Sequence, residues 1–260
     1  MKFKTSLRMG AAALVFAAGS MGLVPAQADH HGAAIKAALE NPDRPDEDKA
    51  RDVLRKPGEV LAFAGIAPGM TVLDINASGG YYTELLSRIV GSEGKVYSHN
   101  GAVYWAFMGK KEPARLAGGK LANVVQVHND KETFDEIPEG SVDAAMMVLA
   151  FHDYFFTHKA RPGGGHEDVS SVLASLKRVL KPGGTVTIID HIAPPNSGPA
   201  EFDKLHRMDP AFVREKMEEA GFEYLDKSTA LISKEDDPTV TPFAKTVRGR
   251  TSRFIYKFGK

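Results

Sequence analysis

The sequence predicts an α/β protein: a doubly wound, mostly parallel sheet closed at its carboxyl end by an antiparallel hairpin. Three observations predict it. Between residues 71 and 192, short β-branched runs alternate with amphipathic runs of helical period. After Gly221 the rhythm breaks, and two strand-like runs, 222–231 and 253–258, follow with no helix-sized crossover pattern between them. The composition, 43% hydrophobic and 25% charged over 260 residues, is that of a globular chain and excludes a disordered tail, a collagen-like repeat and a coiled-coil rod.

The chain opens with an expected export signal over residues 1–28. Lys2, Lys4 and Arg8 form a basic start, residues 11–24 are apolar and uncharged, and Ala26-Gln27-Ala28 is a small-x-small cleavage site. The apolar run is shorter than the roughly 18 residues that span hydrocarbon, so cleavage before Asp29 is expected rather than an anchor. The mature 232 residues then carry 30 basic and 33 acidic side chains. Neither this balance nor the 33 against 33 of the whole chain steers the protein to nucleic acid or to a membrane after cleavage. The absence of cysteine excludes disulfides, thiolate metal sites and cysteine nucleophiles, and suits an oxidising compartment, periplasmic or extracellular.

Residues 29–57 read as an amino-terminal arm with one short helix over 47–54, capped by Asp46, and residues 58–260 as the main domain. In order, the domain has a strand at 71–76, a glycine turn, a helix at 81–90 and a strand at 95–100. A mixed segment around Trp105 follows, then strands at 123–129 and 142–151, a helix at 168–180, a sharp "KPGG" connection and a strand at 185–192. A further helix stops at Gly221, ahead of the two hairpin strands.

In an open parallel sheet, ligands lie beyond the carboxyl ends of the strands where strand order reverses. That rule selects Asp74 to Gly80 at the first strand, with Gly79 and Gly80 free to adopt positive φ beside the amino terminus of the next helix. Read as plain structure, the same glycines make a tight turn. At the fourth strand it selects His152 and Asp153. His152 is either a general base titrating near neutrality or a hydrogen-bonded surface residue. His191, His166 and the His206-Arg207 pair reach for the same rim, and Gly163, Gly164 and Gly165 read as a mobile loop above it. Arg207 pairs either an acidic substrate group or Asp209 and Asp203.

The ordered segments "VLDINASGGYYTELLS", "GKVYSHN", "NVVQVHND", "VDAAMMVLAFHD" and "LKPGGTVTIIDH" resemble the class I S-adenosylmethionine-dependent methyltransferases. The entry into the domain, residues 44–73, is similar to exported members of that group with an "RPxxDxxRDxxRKPxEVLxFxGIxPGMTVL" pattern. The resemblance covers residue 44 to the end and implies a seven-stranded Rossmann-like sheet and S-adenosylmethionine as cofactor. It implies cofactor contacts from Asp74, Asn76, Ser78, Gly79, Gly80, Asn100 and Asp130, with Asn76, Ser78 and Gly80 in the three glycine positions and Asn100 in place of the ribose-binding acid. It implies that His152 and Asp153 face the transferred methyl group and that Tyr81, Tyr82, His191 and Arg207 shape a small-molecule acceptor pocket. Two glycines and one acid are missing, so a protein that keeps the fold but only binds a ligand is the alternative.

Other chemistries find less support. No G-x-S-x-G elbow is present, and "NASGGY" is not a G-x-G-x-x-G turn. Nine histidines include no i, i+4 helical pair, so no metal site is expected; the adjoining His30-His31 and a cluster of His152, Asp153 and His191 are the nearest approaches to one.

Overall fold

The computed structural model describes residues 25–108, 111–129 and 131–260. Seven strands form one sheet in the order β3-β2-β1-β4-β5-β7-β6: β1 (Thr71–Ile75), β2 (Lys95–Asn100), β3 (Val124–His128), β4 (Val142–Val148), β5 (Leu180–His191), β6 (Glu223–Ser228) and β7 (Arg253–Gly259). β1 to β5 run parallel, and β7 is antiparallel to both β5 and β6, as the two terminal runs predict. Strand order reverses between β1 and β4, so the crevice expected of this architecture opens beyond Ile75 and Val148.

Alternate residues of each strand feed two apolar layers, as the two-residue period dictates. Leu73, Ile75, Met147 and Ile188 pack with Val172, Leu173 and Leu176 of α7 (Val169–Val179). Val72, Met146 and Ile189 face the other way, onto α3 (Pro57–Ala64) and onto Leu85, Leu86 and Ile89 of α4 (Tyr81–Val90), with Ile35 and Ala38 of α1 (Pro25–Leu39) outside them. Asp168 caps α7 by accepting from the Ser171 N–H at 3.2 Å, and Gly221, at φ 81°, follows α9 (Pro210–Glu219).

Three local expectations are corrected. Asp46 is the first residue of α2 (Asp46–Arg55), not its cap; Pro45 takes that place and gives no side-chain bond. The "KPGG" segment is not a separate connection, because β5 begins at Leu180, paired with Val142, and the glycines form an irregularity before Thr185 pairs with Ala144. Helix α3, apolar through most of its length, has no helical stripe to read and was not expected; nor were α1, α5 (Ala102–Met108), α6 (Lys111–Leu116) and α8 (Pro199–Leu205). Residues 1–24 of the expected export signal, and Asp130, lie outside the described residues, while the expected cleavage point before Asp29 falls within α1. No helix among the described residues is long and apolar enough to cross a membrane.

Candidate active site

Beyond β1 the chain places left-handed residues at alternate positions: Asn76 (φ 53°), Ser78 (φ 58°) and Gly80 (φ 81°). This conformation costs an L-residue roughly 1–2 kcal/mol, so two of the three expected glycines are missing while their backbone geometry is kept. Neighbouring side chains hold it. Asn76 accepts from the Gly101 N–H at 3.1 Å and donates to Glu132 at 2.8 Å, and the Ser78 N–H donates to Asn100 Oδ1 at 2.8 Å. Helix α4 then starts at Gly80 with no side-chain cap, so its first-turn N–H groups are available to an anionic group. Beneath the turn Asp74 is buried and accepts from Thr83 Oγ1 at 2.7 Å; burial pushes its carboxyl up to about 7.

A cavity of about 560 Å³ opens over this turn, within the roughly 300–1,000 Å³ usual for small-molecule sites. Asp74, Asn76, Ser78, Gly79 and Tyr82 line it, with Tyr104 and Leu149 on the β4 side. Helix α2 forms its roof, and that helix is inside out. Asp48, Arg51, Asp52 and Arg55 recur at i, i+3, i+4 and i+7 toward the domain, while Val53 is 76% exposed. The grip is ionic. Buried Arg44 holds Asp52 with two 2.8 Å bonds, Asp52 accepts from the Tyr81 hydroxyl at 2.6 Å, and Asp48 pairs with Arg115 at 2.7 Å. Arg115 in turn bonds Glu84 and the Gly79 carbonyl, tying the roof to the turn below.

The expected cofactor residues therefore divide. Asp74, Asn76, Ser78 and Gly79 border the cavity, whereas Asn100 is fully buried beneath the turn, with Oδ1 taken by Ser78 and Nδ2 donated to Glu112 at 2.7 Å. The acid at the tip of β2 is thus Glu112 of α6, held by Asn100 and Ser98, and not residue 100 itself. Of the expected acceptor residues, Tyr82 lines the cavity and its hydroxyl makes no hydrogen bond among the described residues; Tyr81 lines it too, with its hydroxyl bound to the roof and its ring facing Arg55 at 4.6 Å. Glu112, Glu132, Arg115 and the charged face of α2 were not anticipated. Only the last had a sequence signal, in the helical spacing of its charges.

At the tips of β4 and β5 the side chains converge differently. His152 Nδ1 lies 2.8 Å from Asp190 Oδ1 and Nε2 lies 3.2 Å from Asp153 Oδ1, while the His152 N–H donates to Asp190 at 3.0 Å. Burial opposes its charge, but the Asp190 and Asp153 carboxylates prevail and hold the imidazole up at about 9. The expectation of a base titrating near neutrality is corrected: in this arrangement His152 carries its proton at neutral pH. Tyr104, a wall of the cavity, donates to Asp153 Oδ2 at 2.6 Å, and His206 Nδ1 stands 3.7 Å from Asp153 Oδ1.

Arg207 has no acceptor role to play. It is fully buried, forks onto Asp236 at 2.8 and 3.0 Å, and donates to the Val240, Ile192 and Asp237 carbonyls. Neither Asp203 nor Asp209 is its partner; Asp209 caps α9. His191 is turned away from Asp153 and bonds Thr251 at 2.8 Å, and burial holds its pKa well below the ordinary value. The loop of Gly163 to Gly165 is tied back by Arg161, which pairs with Glu167 at 2.5 Å and bonds the Phe156 and Asp153 carbonyls.

The donor set fits S-adenosylmethionine: a buried acid beside an uncapped helix, and room above the turn. Residues 73–188 match the family model described as a methyltransferase domain. The ubiquinone/menaquinone biosynthesis C-methyltransferase UbiE of Teredinibacter turnerae is 27% identical over 137 residues, 53% of this chain and 49% of that protein. The demethylmenaquinone methyltransferase of Staphylococcus aureus is 31% identical over 138 residues, 52% and 48%. The chain thus spans about half the length of these curated relatives. A crystal structure of a SAM-dependent methyltransferase from Aquifex aeolicus superposes with a TM-score of 0.57 at 24% identity, over 88% of this chain and 97% of that one. The chain thus has the Rossmann-like fold of the class I S-adenosylmethionine-dependent methyltransferases, with a methyltransferase domain matched over residues 73–188.

Proposed function

We propose that this protein is an exported methyltransferase that uses S-adenosylmethionine to methylate a small molecule. The observation that carries the reading is the triple left-handed turn of Asn76, Ser78 and Gly80, kept in a conformation that two of its residues disfavour and opening on a cavity above an uncapped helix. A turn with no ligand to approach has no use for that strain. Bound there, S-adenosylmethionine supplies an electrophilic methyl group on a sulfonium.

The chain's residues supply position and dryness, which are most of what an in-line displacement needs. Asp74 fits an ammonium and the α4 amino terminus a carboxylate, while buried Glu112 holds Asn100 and Ser98 at the tip of β2. Helix α2 and the Tyr81-Tyr82 pair cover the cavity and exclude water. The first acceptors to try are redox-active aromatic rings, because both relatives named above are named for quinone methylation and the walls carry Tyr82 and Tyr104.

Calorimetric titration of the purified chain with S-adenosylhomocysteine tests the reading. One molar equivalent at micromolar affinity is expected in the unaltered protein, with none in Asp74→Ala. Absence of heat at millimolar ligand overturns it in favour of a binding module for something else. Intact mass of the protein recovered from its native host tests export, with Asp29 expected as the first residue.

A further inference from the structure

We infer that His152, Asp153 and His206 form a binding site for one divalent first-row transition-metal cation. One ligand atom from each lies within 4.8 Å of the others, the only such group among the described residues. The separations of 3.2 Å and 3.7 Å from Asp153 Oδ1 to the two imidazoles approximate the edges of a coordination polyhedron with bonds of about 2.1 Å. Two imidazoles and one carboxylate select against calcium and magnesium, which take oxygen ligands.

The surroundings are built to orient these atoms. Asp190 engages His152 Nδ1 and leaves Nε2 to point at Asp153, the carboxylate–histidine arrangement that fixes a ligating imidazole; a bound cation takes the place of the Nε2 proton, which is released to solvent. Tyr104 takes Asp153 Oδ2 and leaves Oδ1 to the two imidazoles. Asp190 is itself saturated by the His152 and His191 N–H groups. His206 is the left-handed residue, φ 50°, that ends α8, and the segment is clamped by Arg207 and by the Met208 N–H on the His191 carbonyl at 2.8 Å. Phe156 and Phe243 wall the His206 ring at 5.1 and 5.3 Å. Asp153 and Asp190 together carry the two negative charges that balance a divalent cation. Side-chain exposures of 17% for Asp153 and 22% for His206 leave a path for entry and a position for an exogenous ligand.

Calorimetric titration of chelator-treated full chain with ZnCl2 tests the inference. One equivalent is expected to bind, to bind equally in a His30→Ala/His31→Ala double variant, and to weaken about tenfold or more in Asp153→Asn and in His206→Asn. Asparagine is nearly isosteric with Asp153 and tolerates the left-handed backbone of residue 206. A second measurement needs no variant: Co2+ added to the unaltered chain should develop visible absorption bands at one equivalent. Loss of zinc binding in the double variant, retention in both asparagine variants, or no zinc heat and no cobalt bands each overturns the site. S-adenosylhomocysteine affinity measured on the same samples separates that failure from failure of the methyltransferase reading, on which the metal site does not rest.

Discussion

The carboxyl edge of the sheet has two shoulders built on opposite principles. At β1 the working groups are mostly main chain, shaped by torsions and a helix terminus, and their side chains serve to hold a curve. At β4 and β5 the working groups are side chains, each fixed by a partner from another element, as His152 is by Asp190 across 38 residues, on a frame pinned by the buried Arg207–Asp236 pair. The difference teaches where substitution is tolerated. A turn can exchange glycine for asparagine or serine if neighbours supply the missing stabilisation, but a buried ion pair fails when either member goes.

The largest effect expected from this contrast is at Arg207. Arg207→Met leaves Asp236 buried and unpaired and should cost about 3–5 kcal/mol in chemical denaturation. An unchanged midpoint would place the clamp elsewhere. An intermediate effect belongs to Asp74. Its carboxyl, pushed up to about 7, binds a proton more readily than in the unfolded chain, so its contribution to stability diminishes as pH rises from about 4 to about 7. A ligand ammonium favours the carboxylate, so binding has the opposite sign: S-adenosylhomocysteine affinity should rise up to about tenfold per pH unit below 7 and level off above it. Asp74→Asn should flatten that profile in calorimetry across pH 5.5–8. The smallest effect is at Ser78. Ser78→Gly relieves a left-handed residue and should change stability by no more than about 1 kcal/mol while leaving S-adenosylhomocysteine affinity within about twofold. A tenfold loss would show the serine side chain to be part of the binding surface.

What could be read from the sequence follows the same division. The strands and helices α4, α7 and α9 were legible because burial on one face imposes a period on the residues themselves. The β1 turn was legible for the same reason of locality: its seven residues are contiguous. Glu112 was not, since its role depends on α6 folding back over β2 and on a bond from Asn100, twelve residues away. His206 was seen as a rim residue, but its place beside Asp153 rests on a backbone conformation and a clamp made by residues 192, 207 and 236. The sequence offers only the ordinary pKa of an imidazole for His152, because Asp190, 38 residues on, is adjacent only in three dimensions.

Helix α2 turns its charges inward and leaves Val53 to the solvent. A cover seated by apolar contact would resist removal in proportion to its area, at any salt concentration. One seated by paired charges that are themselves largely buried, as Arg44, Asp48 and Arg115 are, is screened little by dissolved ions and fails instead when one partner is removed. The cover therefore depends on the integrity of a few named pairs and not on the extent of an apolar surface.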